Sequence, residues 1–200
     1  MRSVGIYIYD GVEALDLAGP FEVFSAASRV ASGRDPGAEP PFAVFTVGAS
    51  GAPVTASGGL SVAPRFTIAD HPPIDVLVVP GGVVDAELER RDVVSWLAAR
   101  QQTAQLTVSV CTGAFLLAKA GVLAGRSATT HWEDTDDLRR RFPDITVVEG
   151  VRWVDEGAVI TAAGISAGLD MSLHVVARLA GDELAAQTAR LMDYRWRPEP

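Results

Sequence analysis

The chain has one cysteine, Cys111, in 200 residues. A single thiol excludes an internal disulfide and makes a reducing cytoplasm the expected compartment. Basic residues number 17 against 25 acidic ones, for a net charge of −8. That balance leaves no basic face for nucleic acid or for an anionic membrane surface. No apolar run approaches the roughly 20 residues that span a bilayer. The opening Met1–Asp10 segment lacks the long apolar core and small-residue cleavage site of a signal peptide, and reads as a first strand. Three histidines are present, and no His/Cys/Asp/Glu cluster has metal-ligand spacing. The glycine-rich stretches contain neither Gly-x-Gly-x-x-Gly nor a P-loop lysine, so no nucleotide site is indicated. Neither a metal nor a cofactor is expected.

What is present is a globular composition, 48% hydrophobic and 21% charged, at a length suited to one domain spanning 1–200. Strand-like runs cover Val4–Tyr9, Phe42–Val47, Ile74–Val79, Leu106–Val110, Ile145–Val148, Val151–Val154 and Val159–Ala162, with Ser127–Thr130 extended. Helical spacing covers Ala14–Ser28, Asp85–Gln102, Gly113–Ala120, Thr135–Phe142, Ala167–Ala180 and Glu183–Tyr194. Phe21 and Phe24 share one helical face and read as core. Arg34–Pro41 reads as a loop, and Val54–Ala63 as a hairpin around Gly58-Gly59 at one edge of the sheet. The alternation of strands and helices predicts an α/β sandwich with a mostly parallel sheet.

Three segments are expected beyond the carboxyl ends of strands, where sites form in such sheets. In Leu106-Thr-Val-Ser-Val-Cys-Thr-Gly113, a buried strand runs into Cys111 and a helix begins directly after it. A thiol at that bend is a candidate nucleophile, activated by the helix end, or a small buried core residue. Asp16, between Leu15 and Leu17, is either an acid/base carboxyl or a helix cap. Gly81 and Gly82 are either a tight turn or backbone N–H donors to an anionic intermediate, paired with the Thr112 N–H. His131 follows an extended segment and either lines the pocket or is structural. His71 and His174 read as structural. Arg139-Arg140-Arg141 reads as a solvated helix face offset by Asp134, Asp136 and Asp137.

Taken together, Ser109-Val-Cys-Thr-Gly113, Ala128-Thr-Thr-His-Trp132, Leu15-Asp-Leu-Ala-Gly-Pro20 and Val79-Pro-Gly-Gly82 resemble the ThiJ/PfpI superfamily, which shares its fold with class I glutamine amidotransferase domains. The nearest branch is that of isonitrile (isocyanide) hydratase and the sensor domains of AraC-type regulators. The resemblance implies a flavodoxin-like three-layer sandwich with a nucleophile elbow, a homodimer, and a small-molecule substrate. It assigns Cys111 as nucleophile, Asp16 as acid/base, and Thr112 as oxyanion N–H with a hydroxyl beside the thiol; His131 matches a histidine near the cysteine. Deglycase-like members carry glutamate at the Asp16 position, so Asp favours hydratase chemistry. No histidine follows Cys111 directly and no His-x-Glu pair occurs later, so protease and glutaminase mechanisms are not expected. AraC-type regulators add a helix-turn-helix module, for which no room is expected after the final helix. The alternatives to a hydratase are a redox or stress sensor and a deglycase or glyoxalase. A thiol pKa lowered by the helix end and by a protonated Asp16 is the expected resting state.

Overall fold

The computed structural model describes residues 1–35 and 37–200. In chain order the elements are β1 (Arg2–Ile8), α1 (Ala14–Arg34), β2 (Phe42–Gly48), β3 (Val54–Thr55), β4 (Ser61–Val62), β5 (Phe66–Thr67), β6 (Val76–Val79), α2 (Asp85–Leu88), α3 (Arg91–Gln101), β7 (Leu106–Val110), α4 (Gly113–Lys119), β8 (Ser127–Ala128), α5 (Thr135–Arg141), β9 (Thr146–Val147), β10 (Trp153–Asp155), β11 (Val159–Ala162), α6 (Ala167–Ala180) and α7 (Asp182–Leu191).

The main sheet has the order β10-β11-β7-β6-β1-β2-β5. Every pairing in it is parallel except β10 with β11. Helices α1, α6 and α7 pack together, and α2, α3 and α4 form a second group, giving the expected flavodoxin-like α/β layering. The central strands read as continuous apolar runs because both faces are covered. All of β6 and β7 is buried, including Thr107 and Ser109.

Several expectations require correction. The 54–63 hairpin forms a separate two-stranded sheet, and the edge of the main sheet is the short β5, a segment too brief to carry a period-2 signal. The long helix expected over 85–102 is two helices. Arg90 between them is extended (φ −81°, ψ 97°), and the break lets Glu87 turn inward to accept a hydrogen bond from the buried Tyr7 hydroxyl. Phe24 is core, but Phe21 is 37% exposed. It borders a groove of about 570 Å³ with Phe45, Phe66 and Ser3, at the amino end of β1, remote from the elbow. α1 runs on to Arg34, and position 36 of the loop expected over 34–41 lies outside the described residues.

The parallel strands β1, β6, β7 and β11 discharge their carboxyl ends side by side. α1 and the α2–α3 pair leave toward opposite layers, so the crevice between β1 and β6 is the switch point at which such sheets bind ligands. Backbone bonds tie the loops there: Glu13 N–H donates to Gly81 O at 2.8 Å, and Val83 N–H donates to Gly11 O at 2.9 Å. Gly113, opening α4, packs directly on the end of β6. A Cβ at that residue would lie 2.1 Å from Val79 O and 2.9 Å from the Pro80 carbonyl. Gly113→Ala is therefore expected to cost about 3 kcal/mol or more of stability, as large backbone-level clashes do, whereas Gly33→Ala, with open space around it, leaves stability unchanged or slightly raised. Urea unfolding midpoints check both.

Candidate functional site

Cys111 follows β7 with φ +55°, a left-handed conformation that an L-residue adopts only when its surroundings hold it there. Those surroundings are specific. Cys111 N–H donates to Ala162 O and Ala163 O, at 3.0 and 3.2 Å. Thr130 Oγ1 donates to Cys111 O at 2.8 Å in a buried contact. The Gly81 backbone lies against the elbow so closely that a Cβ there would sit 2.6 Å from Thr112 N and 2.8 Å from Cys111 Cβ. Cys111 as a residue is buried, with 7% of its surface exposed.

Asp16, in the first turn of α1, is wholly buried. It does not cap its own helix. Its Oδ2 accepts the Gly81 N–H at 3.1 Å, so α1 and the β6 loop are joined through this carboxyl. Oδ1 is buried with no hydrogen-bond partner among the described residues. Burial pushes the Asp16 carboxyl up to about 7, against a downward pull from the Gly81 N–H, an upward one from Glu13, and a smaller downward one from the Cys111 thiol. A carboxyl in that range can both give and take a proton near neutrality.

The thiol departs from expectation. Burial and then the Asp16 charge push Cys111 up to about 12, with the Thr112 and Ile165 backbone N–H groups opposing them. The end of the seven-residue α4 does not outweigh desolvation, so the resting thiol is protonated and a nearby base must take its proton. Both expected glycine donors are occupied. Gly81 N–H serves Asp16, and Gly82 N–H donates to Thr112 Oγ1 at 2.8 Å, while that hydroxyl donates to Gly82 O at 2.8 Å. The Thr112 hydroxyl is thus a clamp between loops. One residue beside the thiol missed in the sequence is Ile165. Its φ of +43°, unusual for a β-branched side chain, turns its N–H toward the sulfur, and no residue pattern in Ala-Ala-Gly-Ile-Ser announces that.

Two clefts flank the elbow. One, of about 270 Å³, is walled by Thr112, Val83, Asp85, Asp134, Asp137 and Arg141. The other, of about 360 Å³, is walled by His131, Trp132, Arg152 and the Ala163–Ala167 segment. His131 is therefore a wall of the second cleft; its Nδ1 accepts the Glu133 N–H at 3.3 Å, and its ring is packed on Gly164 so tightly that a Cβ there would lie 2.2 Å from Cδ2. The other two histidines lie in structural contacts: His71 Nε2 accepts from Trp96 Nε1 at 3.0 Å, and His174 stacks on Trp153 and pairs with Asp155. The arginine run is paired with Asp136, Asp137, Glu149 and Asp85. Among the described residues no group of three His, Cys, Asp or Glu is placed to hold a metal, and no helix is long and apolar enough to cross a membrane.

The model of the DJ-1/PfpI family matches residues 2–178. The chain belongs to this family. Isonitrile hydratase of Pseudomonas putida is 33% identical over 193 residues, covering 96% of this chain and 78% of that protein. The transcriptional regulator GbdR of Pseudomonas aeruginosa is 30% identical over 193 residues, which is 96% of this chain and 51% of the regulator; the chain thus spans about half that relative's length. Among solved structures, a ThiJ/PfpI family protein from Pseudomonas syringae superposes with a TM-score of 0.85 at 31% identity, over 98% of this chain and 76% of that one. This DJ-1/PfpI member is thus similar both to an enzyme and to HTH-type transcriptional regulators.

The coupling between Cys111 and Asp16 has readable consequences. Because the folded Asp16 carboxyl titrates about 7 instead of its ordinary 3.8, the folded state binds the extra proton between those values. Stability then falls as pH rises from about 4 to 7, by a few kcal/mol at most. Asp16→Asn is expected to remove that slope in denaturant titrations. It is also expected to move the pH midpoint of Cys111 alkylation by iodoacetamide downward, since the charge that raises the thiol is gone; an unchanged or higher midpoint contradicts the coupling.

Proposed function

We propose that this protein is a cysteine-dependent hydratase that converts an isocyanide to an N-substituted formamide. The observation that carries this reading is a single buried carboxyl, poised near pH 7, beside a protonated thiol on a strained elbow. Similarity to isonitrile hydratase over nearly the whole chain supports it, as does an aspartate at position 16.

The chemistry follows from that protonation state. Ionised Asp16 takes the Cys111 proton as sulfur attacks the terminal isocyanide carbon. Asp16 returns the proton to that carbon, giving a thioimidate, Cys111–S–CH=N–R. Asp16, ionised again, removes a proton from water as its oxygen attacks the same carbon, and passes that proton to the nitrogen. The tetrahedral adduct collapses, the C–S bond breaks, and the hydroxyl proton goes to the departing sulfur. The product is HC(=O)–NH–R, and both residues return to their starting forms. One carboxyl serves twice as base and twice as acid. The Thr112 and Ile165 N–H groups, which already pull toward a sulfur anion, stabilise charge on the sulfur as it leaves. Gly81 positions Asp16, Gly82 and the Thr112 hydroxyl hold the elbow, and His131 bounds the substrate.

A redox sensor needs an exposed, low-pKa thiol; a buried thiol pushed up to about 12 favours turnover over sensing. Leu15, Val83, Trp132 and Ile165, each beside a site residue, expose apolar side chains, which supports a homodimer with the sites at or near the interface.

Cys111→Ala is expected to abolish formamide formation from an alkyl isocyanide, and Asp16→Asn to reduce kcat at least 100-fold, the scale of general acid–base catalysis. Chromatographic detection of the formamide checks both. Full activity in Cys111→Ala refutes the covalent route, consumption of methylglyoxal in place of isocyanide indicates a glyoxalase, and peroxide adding two oxygens at Cys111 without turnover indicates a sensor. A dimer mass in sedimentation equilibrium is expected.

A further inference from the structure

The two clefts beside the elbow differ in charge. The one against Thr112 carries three aspartates and one arginine. The one against Ala163 carries a single formally charged side chain, Arg152, and no carboxylate in its walls. In a chain of net charge −8, this leaves one guanidinium, ion-paired behind the wall with Asp170, as the charged group facing the cavity.

Arg152 is built into place. Its Nε donates to Oδ2 of Asp170, which is wholly buried and also accepts the Arg197 N–H at 3.0 Å. The guanidinium is thereby fixed in plane. Its Nη2 reaches Ser166 Oγ only at 3.5 Å, a distance at the limit of a hydrogen bond, so the outer edge of the fork is not saturated. The Tyr194 side chain also bonds to Asp170 and Arg152; a guanidinium held in this way still presents Nη N–H groups that match the oxygens of a carboxylate.

The neighbouring groups are donors as well. His131 Nδ1 accepts the Glu133 N–H, so in the neutral ring the proton sits on Nε2, on the side that packs against Gly164 and the cavity. Glu133 and Asp134 lie on the opposite, Nδ1 side of that ring. Ser166 adds a hydroxyl. Trp132, 74% exposed, supplies an apolar wall at the mouth. The floor is the Gly164–Ile165 segment, whose Ile165 N–H faces the Cys111 sulfur. Ile165 lines this cleft of about 360 Å³ and stands between it and the Cys111 sulfur, so a small substituent reaching past Ile165 from Cys111 would meet Arg152.

We propose that this cleft is a carboxylate subsite, with Arg152 as the anchor, and that the substrates are isocyanides whose N-substituent bears a carboxylate. The identity of the reactive end rests on the hydratase reading; the subsite does not.

The test separates the two. N-Formylglycine, the product expected from isocyanoacetate, and its methyl ester are titrated calorimetrically into the intact protein and into Cys111→Ala. The carboxylate is expected to bind at least tenfold more tightly than the ester in both, with a preference that weakens as salt rises. Because Arg152→Gln alone would strand the buried Asp170 charge, the companion variant is Arg152→Gln/Asp170→Asn, which keeps the pair neutral. There the two ligands are expected to bind within twofold of each other. Should that variant not fold, Ser166→Ala is expected to shrink the preference by about threefold. Equal or undetectable binding of acid and ester to the wild type overturns the subsite, as does a preference that survives loss of Arg152. Preferred binding of the acid without turnover of isocyanoacetate or of any neutral isocyanide leaves the subsite standing and refutes the hydratase.

Discussion

Everything at this site depends on how closely two backbone segments approach at the ends of β6 and β7. Cys111 can hold its left-handed conformation because its N–H is captured by β11 and its carbonyl by Thr130, and because Gly81 and Gly113 leave no side chain between the elbow and the β6 loop. That same approach turns the Gly81 N–H toward Asp16. Cys111 and the Asp16 carboxyl are therefore positioned by one packing event, not by two independent loops. A side chain at either glycine would disturb both groups at once.

Desolvation then decides the electrostatics. Burial raises the carboxyl and the thiol together, and the Asp16 charge adds to the upward push on the thiol. At Cys111 the end of the seven-residue α4 and two N–H groups pull the thiol down, and burial beside a carboxylate pulls it up more strongly. The benefit of this arrangement is chemical. A base near neutrality that is also a competent acid can serve every proton transfer of a hydration in turn. It also limits exposure of a reactive thiolate to oxidants.

Much of this was legible in the sequence, for physical reasons that differ by element. β7 and the elbow read clearly because a strand buried on both faces must be continuously apolar, and because Gly113 marks the turn. The strand β11 and the helix α6 were equally clear, the latter from its long 3.6-residue period. The pairing of Cys111 with Asp16 came from a family resemblance; no local pattern brings residue 16 to residue 111. The break at Arg90 was invisible because the buried Tyr7–Glu87 contact that accompanies it joins residues 80 apart in sequence. The direction of the thiol shift was misjudged because burial depth is a property of the packed molecule. Ile165 and Arg152 were missed because backbone handedness and a guanidinium fixed by Asp170 leave no trace in residue order.

The central claim, that Asp16 carries the mobile proton, is tested most directly by titrating its carboxyl carbon by ¹³C NMR, with the signal assigned through Asp16→Asn. The account predicts a midpoint at about 7, moving higher in Cys111→Ala as the thiol's downward pull is removed. A midpoint near the ordinary carboxylate value of 3.8, unaffected by loss of the thiol, would contradict it.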